Sequence, residues 1–158
     1  MAGSDSAAQP SVTDQQDLVD ALVTMSFVTI AMLSRIAAEH DLSLTQLRVL
    51  AILRDRRAQM SELADYLGLD KSTISGLVDR AQQRGLLQRA SSPLDGRRVE
   101  VFLSADGAAL ADLGAAQIAA ALAPITSALS QAESQRLTTL LDRMLAVGRH
   151  RTAGKKSP

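Results

Sequence analysis

Apolar and small residues recur at helical spacing from Thr13 to about His40. Leu18, Leu22, Met25, Thr29, Met32 and Ile36 form one stripe at steps of three and four, and Val19, Val23, Phe27 and Ile30 form a second beside it. A lone surface helix needs one apolar face, so the doubled stripe predicts burial on more than one side. Packing against a second subunit would supply it. Ser43-Leu44-Thr45-Gln46 fits a capping box, in which hydroxyl and amide satisfy free N–H groups reciprocally. It predicts a helix over 44–55 that buries Leu47, Leu50, Ala51 and Ile52 and ends in Arg54-Asp55-Arg56-Arg57. A third helix, 60–67, buries Leu63, Ala64 and Leu67, and Gly68 suits the left-handed position past its end.

Asp70 is a good N-cap for a fourth helix, 71–84, closed by Gly85. Ile74, Leu77, Val78 and Ala81 fall on one face. Lys71, Ser72, Thr73, Ser75, Gly76, Asp79 and Arg80 are left on the other faces or at the exposed start. Two short helices joined by a turn of a few residues are a helix-turn-helix. Leu86–Arg89 and Arg97–Leu103 then flank a loop holding Pro93 and Asp95-Gly96, which predicts a hairpin, and a hairpin after a helix-turn-helix is a wing. Ser104 caps a long Ala-rich helix that Pro124 should kink or end. Ser130-Gln131-Ala132-Glu133 opens a final helix with Leu137, Leu140, Leu141, Met144 and Leu145 on its apolar stripe. The expected fold is mainly α, in the order α-α-α-α-β-β-α-α. Residues 13–148 form one domain, and 1–12 and the basic 149–158 read as flexible tails.

Composition narrows the chemistry. Hydrophobic residues make up 46% of the 158 residues but aromatics only 2%, so the core must be built from Leu, Val, Ile, Met and Ala. Net charge is zero, yet residues 1–40 carry −4 and residues 71–98 carry +4. A local basic block is what an anion-binding face looks like, and a solvated charge run gives the same count. No cysteine is present, which excludes disulfides, thiolate metal sites and thiol redox sensing. Residues 1–12 lack a signal pattern, and no stretch approaches about 20 uninterrupted apolar residues. A soluble, cytoplasmic protein without a membrane partner is expected. His40 and His150, the only histidines, lie far apart in the sequence and read as surface or helix-end residues rather than metal ligands. No phosphate loop, nucleophile–base pair or carboxylate pair stands out, so no catalytic residue, cofactor or metal is expected.

The stretch Met60 to Gly107 closely resembles the MarR family of winged helix-turn-helix transcription regulators. Ser61–Leu69 is similar to that family's helix before the turn, and Asp70–Arg80 to its recognition helix. Arg84-Gly85-Leu86-Leu87 matches the exit, Asp95-Gly96-Arg97-Arg98 the wing tip, and Leu103–Gly107 the start of the next helix. Ser43–Leu50 extends the likeness, and Ala81 departs from it where the family usually has Leu. The resemblance implies a triangular homodimer, with helices in 13–40 and 104–148 forming the dimer interface around a DNA-binding region, 41–103. It also implies a repressor, more often than an activator, of a pseudo-palindromic operator. A small ligand, often phenolic, would relieve it from a site between the two regions. Met25, Phe27, Met32, Ile36 and Leu47 are candidates for that site, though packing explains each of them.

On this reading the start of helix 71–84 enters the major groove of double-stranded DNA. Ser72, Thr73 and Ser75 would meet bases or phosphates, Lys71 a phosphate, and Gly76 would allow close backbone approach. The alternative is that Ser72 and Thr73 merely help cap the helix, and that Arg80 pairs with Asp79. Arg97 at the hairpin tip would reach the minor groove, oriented by Asp95, with Arg98 on phosphate. The bland alternative is turn chemistry at Asp95-Gly96 and an edge charge at Arg97. Arg56 and Arg57 are weaker phosphate candidates. The competing function is a winged-helix protein-interaction module, which would tend to expose aromatic or aliphatic anchors where this chain has polar and basic residues.

Overall fold

A computed structural model describes residues 11–92 and 98–153. The elements are α1 (Val12–Glu39), α2 (Leu44–Leu53), β1 (Ala58–Gln59), α3 (Met60–Leu67), α4 (Lys71–Gln83), β2 (Leu87–Ser91), β3 (Val99–Leu103), α5 (Ala105–Thr126) and α6 (Gln131–Ala153). The strands form one antiparallel sheet in the order β1-β3-β2. Leu87 faces Leu103 and Arg89 faces Val101 across the hairpin, while Ala58 faces Val101 from the other side.

Local chemistry sets most of the helix ends. Ser11 and Asp14 form a capping box on α1, and Ser43 and Gln46 form the expected one on α2. Gly68 and Gly85 take positive φ after α3 and α4, as their positions past the helix ends require. Asp41 does the same after α1, at φ 54°, a conformation that a short polar side chain tolerates better than a branched one.

Several expectations need correction. β1 was not foreseen; two residues carry no alternation pattern, and only the free edge of β3 makes them a strand. α2 stops at Leu53 and buries Leu47, Val49, Leu50 and Leu53, leaving Ala51 exposed and Ile52 half-buried. It packs against α1, α5 and β3 together, so more than one face is covered. Pro124 lies within the last turn of α5, which continues to Thr126. α1 already begins at Val12, and α6 runs beyond residue 149 to Ala153. α1 and α5 are each long and apolar enough, by length and composition, to cross a membrane, because scattered polar residues do not prevent a high average.

The core gathers Leu47, Val49, Leu50, Leu63, Ile74, Val78, Leu87 and Val101 where α2, α3 and α4 meet the sheet. No aromatic ring is among the buried residues: Tyr66 is exposed and Phe102 is half-buried beneath the Arg57 guanidinium, 4.0 Å from its ring centre. α1 buries only Ile36 and Ala37 within the chain. Both apolar stripes along the rest of it remain largely exposed, Phe27 to 69%. Among the described residues no other element packs closely on α6, and Leu137, Leu140, Leu141, Met144, Leu145 and Val147 are exposed along it.

Candidate nucleic-acid interface

The opposite faces of α4 divide cleanly. Ile74, Leu77, Val78 and Ala81 are all buried, which pins the helix to the core and turns Lys71, Ser72 and Thr73 outward. Ser75 and Gly76 are half-buried and Arg80 is exposed. Lys71 and Ser75 share an open cleft of about 370 Å³ with Ser61 at the start of α3 and Arg98 at the base of the wing. Three separate elements thus bring two cations and two hydroxyls to one concavity. Ser61 was not among the residues singled out from the sequence, where a Ser one residue into a helix reads only as local chemistry.

Asp70 organises the start of α4. Its carboxylate accepts from the Thr73 amide at 2.8 Å, from the Thr73 hydroxyl at 2.7 Å and from the Ser72 hydroxyl at 2.5 Å. Both hydroxyl protons are therefore committed to the cap, and the capping reading of Ser72 and Thr73 holds for them as donors. Their oxygen lone pairs remain exposed. The Ser72 hydroxyl, followed by the Thr73 amide and hydroxyl, holds the Asp70 carboxyl well below the usual carboxylate range. Hydrogen bonds from Ser11 and Ser130 lower Asp14 and Glu133 in the same way at the starts of α1 and α6.

Such groups bind fewer protons folded than unfolded. Their contribution is complete above the ordinary carboxylate pKa of about 4 and is lost as pH falls through the lowered folded values. The melting temperature should therefore drop on acidification below about pH 4, and Asp70→Asn should show a shallower acid limb at little penalty near neutrality, since Asn caps as well as Asp. Superimposable acid limbs would show that ionisation of Asp70 is not linked to folding.

The basic block of 71–98 separates into two groups. Arg89 binds Asp79 at 2.6 Å and ties β2 to α4, so Asp79 is not the partner of Arg80. Arg84 donates to the His40 and Asp41 carbonyls at 3.0 and 2.6 Å, clamping the turn after α1 to the end of α4. These two arginines serve the internal frame. Arg80 makes no ion pair among the described residues, and its guanidinium lies 3.4 Å from where a β-carbon on Gly76 would sit. Among the described residues no rigid neighbour demands glycine at 76. Arg56 donates to the Tyr66 hydroxyl at 2.9 Å, and Arg57 stacks on Phe102.

Asp95 and Arg97 lie outside the described residues. The ends of their loop are held together, with the Ser92 amide donating to the Arg98 carbonyl at 2.7 Å and the Ser92 hydroxyl to Glu100 at 2.7 Å. His40 contacts Gln117 through Nε2 at 2.7 Å, which joins α1 to α5. A second groove, about 260 Å³, runs between α2 and α5 and is lined by Leu47, Leu50, Ala115 and Ile118, with Arg54 also among its lining residues. Of the five residues considered for a ligand, only Leu47 lines it. Ile36 belongs to the core, and Met25 and Phe27 are exposed on α1.

A sequence profile described as the MarR family matches residues 40–98, from the end of α1 to the base of the wing. The HTH-type transcriptional repressor NicR of Pseudomonas putida is 38% identical over 77 residues, which are 48% of this chain and 49% of NicR. The chain thus spans about half the length of that relative. AbsC, a MarR family transcriptional regulator from Streptomyces coelicolor, shares the fold at a TM-score of 0.72 and 20% identity, over 91% of this chain and 99% of its own. BpsR of Bordetella bronchiseptica, whose DNA binding is regulated by 6-hydroxynicotinic acid, superposes at a TM-score of 0.66 and 24% identity, over 87% and 97%.

Proposed function

We propose that the chain is a member of the MarR family of winged helix-turn-helix proteins and acts as a homodimeric, sequence-specific DNA-binding transcription regulator with no catalytic role. The observation that carries this reading is the cleft in which Lys71 and Ser75 of α4 meet Ser61 and Arg98. A backbone phosphate seated there would hold α4 with its exposed N-terminal turn in the major groove and the wing beside it. Lys71 and Arg98 supply charge to phosphate with Ser75 beside them in the cleft, Ser72 and Thr73 meet bases or phosphates, and Arg80 lies one turn further along. Gly76 keeps the helix surface low for close approach. Arg97, outside the described residues, is assigned to the minor groove, with Asp95 to orient its guanidinium.

A second copy covers the apolar faces of α1, α5 and α6. Two-fold symmetry then sets two copies of α4 for a pseudo-palindrome with half-sites about one helical turn apart. Repression is the mode suggested by the name of NicR. The groove between α2 and α5 is lined by Leu, Ile and Ala with Arg54 among them, which suits a small aromatic or phenolic effector. BpsR supports ligand control of DNA binding in a protein of this fold.

Fluorescence anisotropy on the duplex upstream of the protein's own gene and on a scrambled duplex, at two salt concentrations, tests the reading. Saturable preference for the first duplex, weakening steeply with salt, is the expected result. Arg97→Ala should lower affinity about 5- to 100-fold on that duplex, the usual worth of one base-reading contact. Equal, weak binding to both duplexes would remove specific DNA recognition by the native protein on that site. Unchanged affinity on Arg97→Ala would remove the wing assignment alone.

A further inference from the structure

The capping network at the start of α4 has a polarity as well as a geometry. An ionised carboxylate is an acceptor only, so every contact it makes to a hydroxyl must use that hydroxyl's proton. Asp70 takes the protons of both Ser72, at 2.5 Å, and Thr73, at 2.7 Å. A free Ser or Thr hydroxyl rotates to donate or accept as its partner requires; these two are left with lone pairs alone. Asp70, Ser72 and Thr73 are all exposed, in the turn that the proposed function places in the major groove.

Resting on that function, we propose that Asp70 fixes the direction of the Ser72 and Thr73 hydroxyl protons, so that the start of α4 presents acceptors to the major groove and reads exocyclic amino groups, cytosine N4 or adenine N6. Those are the donors that base edges offer in that groove; guanine O6 and N7, thymine O4 and phosphate oxygens are all acceptors. Two hydroxyls that cannot donate are poor phosphate ligands, which leaves phosphate anchoring to Lys71 and Arg98 in the adjoining cleft. Asp70 is thereby a positioning residue for base choice, although it reads no base itself.

Asp70→Asn reverses one of the two hydroxyls. The Thr73 amide donates to Oδ1 at 2.8 Å, so the carbonyl oxygen of Asn must stay at that position, where it also keeps the Ser72 proton. The amide nitrogen then replaces Oδ2 opposite the Thr73 hydroxyl, donates to it, and releases its proton outward. The flipped amide would set N–H against N–H. Ser72 remains an acceptor while Thr73 becomes a donor.

The full chain, Asp70→Asn and Thr73→Val would each select sites from a randomised duplex pool, followed by anisotropy on single-base variants of the selected site. Circular dichroism and melting would establish that each variant is folded. In the wild type, one position per half-site should favour cytosine or adenine roughly tenfold over guanine or thymine. Asp70→Asn should move the preference at that position to a base offering an acceptor, and Thr73→Val should flatten it, with other positions unchanged. A selected site that is identical for the wild type and Asp70→Asn overturns the proposal. So does tightening by the same factor on every sequence, which is only the loss of a negative charge near phosphates. Enrichment of no site by the wild type would instead defeat the DNA-reading function itself.

Discussion

Aspartate at both Leu141 and Leu145 should convert the proposed dimer to monomers and lower affinity for specific DNA by about a thousandfold or more, the usual gap between specific and non-specific binding. α6 leaves six large apolar side chains exposed from Leu137 to Val147, with Leu145 at 59%, and among the described residues no other element packs closely on it. An apolar row of that length on α6, with a further exposed apolar row on α1, exceeds what an isolated chain in water presents without a partner. Each Leu buried there contributes about 1.5–3 kcal/mol, and two-fold symmetry counts every substitution twice. A charge in that position loses the burial and adds desolvation and like-charge repulsion across the axis. A monomer holds only one α4, so it retains half of the recognition surface. Light scattering behind size exclusion reads the mass, and anisotropy reads the affinity. A variant that stays dimeric and binds normally would show that α6 is not the seam.

The second large effect is on folding. Gly107→Ala should destabilise the chain by about 3 kcal/mol or more, the upper range for overpacking, because the added methyl has nowhere to go. A β-carbon at that position would lie well inside contact distance of the Leu86 carbonyl oxygen, and backbone cannot swing aside as a side chain can. That carbonyl already accepts the Ser104 amide at 3.0 Å, and the Ser104 hydroxyl holds the Gly85 carbonyl at 2.5 Å while accepting the Gly107 amide at 2.9 Å. Movement there would break the joint between α4, β2 and α5. For a chain of this size the melting temperature should fall by roughly 6–12 °C. Gly114→Ala, seven residues along the same helix, is the control. Its β-carbon meets only Leu47 Cδ1 at an ordinary 3.5 Å, and replacing a mid-helix glycine should gain up to about 1 kcal/mol. Equal melting temperatures for the two variants would refute the close-packing account.

Much of the frame that carries the candidate interface is legible in the sequence. The period of Ile74, Leu77, Val78 and Ala81 located the buried face of α4, and every one of those residues is buried. Capping chemistry set the start of α2, and Gly68 the end of α3, because those signals act over a few residues of backbone. The roles of individual cations were not legible. Arg84 and Arg89 sit in the same basic block as Lys71 and Arg98, yet one clamps the turn after α1 and the other pairs with Asp79. A charge count along the chain cannot separate them, since their partners are 43 and 10 residues away.

The sequence by itself determined the elements whose causes are local: helical period, caps, glycine turns, and a wing placed after a helix-turn-helix. It also gave the doubled apolar stripe of α1 that asks for a partner. The tertiary structure decided what depends on distant atoms meeting: the pairing of Ala58 with Val101, the Leu86 carbonyl that makes Gly107 indispensable, and the cleft joining Lys71, Ser61 and Arg98. Hydrogen-bond direction at Asp70 lies between the two. The spacing of Asp70, Ser72 and Thr73 makes the network available, but only their placement around one carboxylate commits both protons. Period and capping need a few neighbouring residues, whereas pairing, clash and proton direction need the three-dimensional neighbour to be known.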